Sequence, residues 1–333
     1  MTASADASGE IATRLSRRKQ RFPCRRVHPA VTLARMPPLP YLKLHGIVFL
    51  FAATAFLGHV ISLSAPAVVI WRTALAAIGA AAVVLLSRRG PLLPPQRTIG
   101  ALVGIGAIAG IHWLCFFGAI RLANVSMCLA GMATTSLFTA FTEPLLERRK
   151  VRPLEVALGC LVAVGILLVA GFEQGRLAGL LLALFGAFLA AIFPVFNRRL
   201  IRTGALDPMV MVVWEMLGAL GACLALLPFI PASGGYAGLL AWTGLDWLWL
   251  LILALVCTVF AHAVHISLLR QITAYAANLA NNLEPVYGIL GAAWLFGEHR
   301  DLHPGFYAGA ATILAANVLH PLLSRSEPTA SVP

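Results

Sequence analysis

Residues 279–319, LANNLEPVYGILGAAWLFGEHRDLHPGFYAGAATILAANVL, lie without gaps on residues 128–168, CLAGMATTSLFTAFTEPLLERRKVRPLEVALGCLVAVGILL, at an offset of 151. Glu147 meets Glu298, Arg149 meets Arg300, Pro153 meets Pro304, Ala157 meets Ala308 and Leu168 meets Leu319, five identities in 41 positions. Five alone are within reach of chance, but landmarks outside the window strengthen the alignment. His112 matches His262 at an offset of 150, and Trp71-Arg72 matches Trp214-Glu215 at 143. Offsets so close to one another imply a duplicated unit with short insertions between equivalent segments.

The composition says where such a unit lives. Of the residues, 59% are apolar and 11% charged, with a mean hydropathy of +0.85; a soluble surface cannot be made from this mixture. The charges cluster between apolar runs long enough for helices to cross a bilayer, which takes ~20 residues. The runs place spans at 44–63, 65–86, 98–120, 122–142, 154–172, 176–196, 208–230, 247–269, 273–296 and 304–323. None shows the alternation of barrel strands, and Gly and Ala are abundant within them. The expected fold is all-α, with ten transmembrane helices in two five-helix repeats, residues 44–172 and 176–323, between a basic tail at 1–43 and a short tail at 324–333.

Lys and Arg set the orientation, because loops rich in them stay cytoplasmic. With both termini inside, 21 of the 25 fall on the cytoplasmic side, against Arg121, Arg176 and Arg300 outside and Arg72 within a span. A unit of five spans is odd-numbered, so the second copy enters the membrane in the opposite sense. Inverted repeats of this kind are the architecture of secondary transporters. A bacterial inner (plasma) membrane is the expected location.

The net charge of +12 does not point to nucleic acid, since residues 1–43 hold nine Lys and Arg against Asp6 and Glu10. That tail lacks the apolar stretch of a secretory signal. Met36, directly before Pro37 and the first span, offers a second candidate start. Five of the six cysteines fall within spans, with no CxxC pair, and read as small packing residues.

Over roughly residues 46–322 the chain resembles the EamA repeats of the drug/metabolite transporter superfamily, the ten-helix permeases. The resemblance rests on Leu283-Glu284-Pro285, on Leu295-Phe296-Gly297-Glu298 and on the segment from Gly118 to Ser126, GAIRLANVS. It departs at Thr134, where many members carry a proline. It implies a permease for a small metabolite, with amino acids and related compounds as the expected class. The expected partners are that solute and the lipid bilayer; coupling to a proton or a sodium ion, and a homodimer, are left open.

Ionisable groups are costly at mid-bilayer and mark pathways or partners. The candidates for the substrate pathway are His112, Thr134, Thr135, His262, Asn278, Asn281, Asn282, Glu284 and Pro285. In the middle of span 9, Pro285 removes a donor and frees the carbonyl of Asn281. The bland alternative is that the asparagines join helices and the histidines only pack. Arg72 and Glu215, opposite charges at matched positions, are expected to form a buried pair. Glu147 and Glu298 fall near the starts of spans 5 and 10, where helix N-termini favour negative charge. Gly100 with Gly104, Gly106 with Gly110 and Gly305 with Gly309 permit close helix contact, with dimerisation through span 5 or 10 as an option.

Motifs narrow the class further. Lys19, Lys43 and Lys150 lack a preceding glycine, so there is no phosphate loop, and no HExxH, GxSxG or GxGD occurs. No catalytic residue, metal site or cofactor is expected. Two rivals to transport by alternating access stay open, an intramembrane lipid-modifying enzyme using His112, His262 and Glu284 and a passive solute channel.

Overall fold

The computed structural model describes residues 38–323 except 89, 149, 152, 204–205, 231–234 and 282. The tail up to residue 37 and the segment after 323 lie outside the described residues. Among the described residues the chain is helical, without strands. A helix is what hydrocarbon demands, because it pairs its amides and carbonyls within one segment.

The helices are α1 (Pro38–Val60), α2 (Ala65–Leu86), α3 (Gln96–Leu122), α4 (Val125–Met132), α5 (Thr135–Glu147), α6 (Pro153–Phe172), α7 (Leu177–Arg202), α8 (Pro208–Leu226), α9 (Asp246–Ala254), α10 (Ala261–Leu268), α11 (Ala274–Asn281), α12 (Leu283–Leu295) and α13 (Pro304–Leu323). Seven segments are long and apolar enough to cross a membrane: Leu42–Val60, Ala65–Leu86, Gln96–Leu122, Val125–Glu147, Gln174–Arg202, Pro208–Phe229 and Asp246–Leu268. Three shorter apolar helices accompany them, Val156–Val169, Leu283–Leu295 and Pro304–Ala316.

Several predicted spans are not simple rods. Span 4 breaks between α4 and α5 although it has no proline there. The hydroxyl of Thr134 donates to the Gly131 carbonyl at 2.8 Å and that of Thr135 to Met132 at 2.7 Å, so side chains serve carbonyls that the broken ladder releases. Span 9 is helical on both sides of residue 282, as α11 and α12, and carries Pro285 within α12. In span 8 a π-helical turn, Leu255–Phe260, joins α9 to α10.

Glycines let the helices meet backbone to backbone. A Cβ on Gly106 of α3 would lie 1.9 Å from the Glu215 carbonyl oxygen of α8, and one on Gly218 would lie 2.2 Å from that of Val103. Gly165 of α6 and Gly309 of α13 face each other in the same way. Gly305 and Gly309 make the close helix contact that their spacing permits, with Phe172 and Val169 of the same chain. Gly100 and Gly104, by contrast, have nothing within 4 Å.

Long-range hydrogen bonds come in matching sets. Trp71 of α2 donates its indole N–H to the Leu239 carbonyl at 2.7 Å, and Trp214 of α8 donates to Leu92 at 2.9 Å. Arg121, ending α3, donates to the carbonyls of Ile61 and Leu63, while Arg270, just past α10, donates to that of Leu206. Glu298 accepts from the amides of Val125 and Ser126 at the start of α4, and Glu143 accepts from the Tyr275 amide at the start of α11. Negative charge at these N-termini meets amides that have no partner within the helix. The role expected of Glu298 is therefore corrected: it caps a helix 173 residues away and not the one that follows it.

The close crossing of α3 and α8 can be tested by adding one carbon. Gly106→Ala should lower Tm in detergent by roughly 4–10 °C, because backbone atoms cannot move aside. Gly104→Ala, in open space on the same helix, should leave Tm unchanged or raise it, since alanine favours helix. Equal destabilisation by both would refute this account of the contact.

Candidate functional site

A central cavity of about 820 Å³, counting its open mouth, lies among α1, α2, α3, α4, α5, α7, α10, α11 and α12 and the π turn. Of the residues singled out in the sequence, His112, Thr135, His262, Asn278, Asn281, Glu284, Pro285 and Arg72 line it. Thr134 does not; it is fully buried with its hydroxyl on the Gly131 carbonyl. Asn282 lies outside the described residues.

Opposite charges stand at this cavity. Arg72 donates its Nε–H to the Thr258 hydroxyl at 2.7 Å, and its guanidinium carbon lies 4.2 Å from the Trp113 ring centroid. The stacking fixes the plane of the group. Its Nη1 is buried without a hydrogen-bond partner. Glu284 lines the same space, within electrostatic reach of Arg72.

The expected ion pair between Arg72 and Glu215 is absent. Glu215 is fully buried on α8 and accepts from His262 Nε2 at 2.8 Å and Asn197 Nδ2 at 3.2 Å. Trp113 touches the surroundings of both groups: Arg72 stacks on its ring at 4.2 Å, and the His262 ring meets it edge-on at 6.2 Å. Matched positions along two helices set depth in the bundle, but not the direction in which a side chain leaves its helix.

The other polar groups are held by neighbours. His112 Nδ1 lies 2.9 Å from the Gly186 carbonyl; a carbonyl only accepts, so this nitrogen carries the proton. Asn278 donates to the Thr139 hydroxyl at 2.8 Å, and Asn281 Oδ1 is buried without a partner. Aromatic and sulfur-bearing walls complete the cavity, with Phe51, Trp113, Phe116, Met132, Phe193 and Cys257. These apolar residues, and Thr54 of α1, escaped the sequence reading because nothing distinguishes a cavity-facing Phe from a packed one. The mid-span hydroxyl of Thr54 was the available signal.

A family model, the EamA-like transporter family, matches residues 40–171 and 177–319. The chain belongs to the EamA-like transporter family. It is thus an integral membrane transporter of the drug/metabolite transporter superfamily. No curated protein matches this EamA-like chain. A solved crystal structure, titled only as that of a protein, is similar over 87% of this chain and 99% of its own, with a TM-score of 0.63 and 18% identity. At that identity the likeness is one of fold.

The hydrogen bond between His262 and Glu215 should be visible energetically. A double-mutant cycle of Glu215→Ala with His262→Ala, read by thermal or urea unfolding in detergent, should give a coupling of about 1–3 kcal/mol. The cycle of Arg72→Ala with Glu215→Ala should give a smaller one. The reverse order would restore the ion pair expected from the sequence.

Proposed function

We propose that the protein is a secondary transporter that carries an amino acid or a related zwitterionic metabolite by alternating access. The observation that carries this reading is the pair of charged groups at one cavity, Arg72 with an unpartnered Nη1 and Glu284 opposite in sign. A guanidinium binds a carboxylate through a planar fork, and a carboxylate binds an ammonium. Phe51, Trp113, Phe116 and Phe193 provide room for an apolar side chain.

The ten apolar segments are read as ten transmembrane helices, in inverted halves at residues 44–172 and 176–323. The matching hydrogen bonds of Trp71 and Trp214 and of Arg121 and Arg270 support that reading, as do Glu298 and Glu143, which are not aligned with each other but take amides at corresponding helix starts. Through Trp71, Trp214, Glu143 and Glu298 each half bonds the other in the same manner, so the two can exchange conformations and open the cavity to either side. The charge bias along the chain supports a bacterial inner membrane with cytoplasmic termini.

Counterflow in proteoliposomes tests the function. Radiolabelled L-leucine should exchange with unlabelled internal L-leucine, saturably and without chemical change. Arg72→Ala and Glu284→Gln should each reduce exchange about 10–100-fold, the scale of a lost charged hydrogen bond. Linear, unsaturable flux would favour a channel, and a converted product an enzyme.

Inversion is tested separately by labelling cysteines from outside intact cells. A membrane-impermeant thiol reagent should reach Arg300→Cys and not Arg148→Cys. Labelling of both, or of Arg148→Cys alone, would refute the arrangement.

A further inference from the structure

The Glu215 carboxylate is incompletely satisfied. Both of its hydrogen bonds, from His262 and from Asn197, go to Oε2, and Oε1 is buried without a partner. Asn197 Oδ1 beside it and His265 Nε2 on α10 are likewise unpartnered. A carboxylate accepts, so the bond to His262 uses an Nε2–H and leaves Nδ1 as the basic nitrogen of the neutral ring. In that form the pair carries one negative charge. A proton added at Nδ1 makes it a neutral ion pair.

His262 stands in the cavity wall and Glu215 behind it. The titratable and charged groups that share the cavity wall with His262 are Arg72 from α2, His112 from α3, Cys257 from the π turn, His265 from α10 and Glu284 from α12. Asn197 faces it from α7, and the cavity-lining residues of α1, Phe51 and Thr54, carry no charge. Arg72 is the positive group that opposes uptake of a proton. Both Arg72 and His262 pack against the Trp113 ring, and Arg72 is also the group offered to a substrate carboxylate.

We propose that His262 and Glu215 form a proton-binding site whose occupancy is linked, through Arg72, to that of the central cavity. A carboxylate on Arg72 cancels its charge and raises the affinity of the pair for a proton; by linkage, the proton raises affinity for the carboxylate. The proton arrives from water on the side to which the cavity is open, binds His262 Nδ1, and leaves to water on the other side. Only an N–H bond forms and breaks. Solute and proton therefore move in the same direction. This inference rests on the transporter reading above.

The test uses the full chain and L-leucine. In weakly buffered detergent with a pH-sensitive dye, leucine binding should withdraw about one proton per protein molecule from solution. In proteoliposomes an inward proton gradient should drive leucine accumulation. Glu215→Gln and His262→Gln should lower the ratio of gradient-driven accumulation to counterflow at least tenfold, measured on the same liposomes. Normalising to counterflow separates coupling from a general loss of transport.

Wild-type protein that exchanges leucine but takes up no proton would overturn the proposal and leave the transporter reading intact. So would a variant with an undiminished ratio. Absence of counterflow in the wild type for leucine and for a panel of the other L-amino acids would remove both. If neither variant can be recovered folded, the wild-type dye measurement decides alone.

Discussion

An amide or carbonyl inside hydrocarbon has no water to turn to, and the architecture follows from where each such group finds its partner. Helices satisfy the apolar runs from within. The interruptions are harder, because each one releases backbone groups that something else must serve. At the break between α4 and α5 the hydroxyls of Thr134 and Thr135 bond the nearest carbonyls. At the entry to α4 the carboxylate of Glu298 takes two amides, and at the entry to α11 Glu143 takes one. These repairs bring segments distant in sequence into contact and leave the centre of the molecule polar without opening it to lipid.

The helical class and most helix positions are legible in the sequence, since an apolar run of the right length has few other stable forms in a membrane. Much of the cavity was legible too. Arg72, His112, His262, Asn278, Asn281 and Glu284 stand out because a polar side chain amid apolar neighbours needs a reason, and here that reason is a shared cavity. Partnership was less legible. Arg72 and Glu215 align in sequence, but the guanidinium bonds Thr258 and the carboxylate bonds His262 and Asn197, and azimuth depends on helix packing that no linear pattern records. Nor does local sequence say that Glu298 caps a helix in the other half of the chain.

The proline expected by resemblance at the level of Thr134 illustrates how one requirement can be met by different chemistry. A proline breaks a helix by lacking a donor. Threonine offers its hydroxyl to a carbonyl and competes with the ladder. The helix breaks at this level beside Gly131, Thr134 and Thr135, and the aligned position of the other half is Pro285. The glycine contacts between α3 and α8 are less forgiving, because a carbonyl oxygen occupies the place of the missing carbon.

The π turn at Leu255–Phe260 has a consequence for the faces of the segment that contains it. A π turn holds one residue more than an α turn, and each residue advances a helix by about 100°. All residues after Phe260 are therefore rotated by that much relative to an uninterrupted helix of the same sequence. His262 and His265, which line the cavity, both follow this surplus residue. The hydroxyl of Thr258 holds the wide turn by donating to the Leu253 carbonyl five residues back, while it accepts from Arg72. Arg72 thus fixes the phase of the helix that carries the two histidines, and excision of one residue here would turn both rings out of the interior while sparing every residue before the turn.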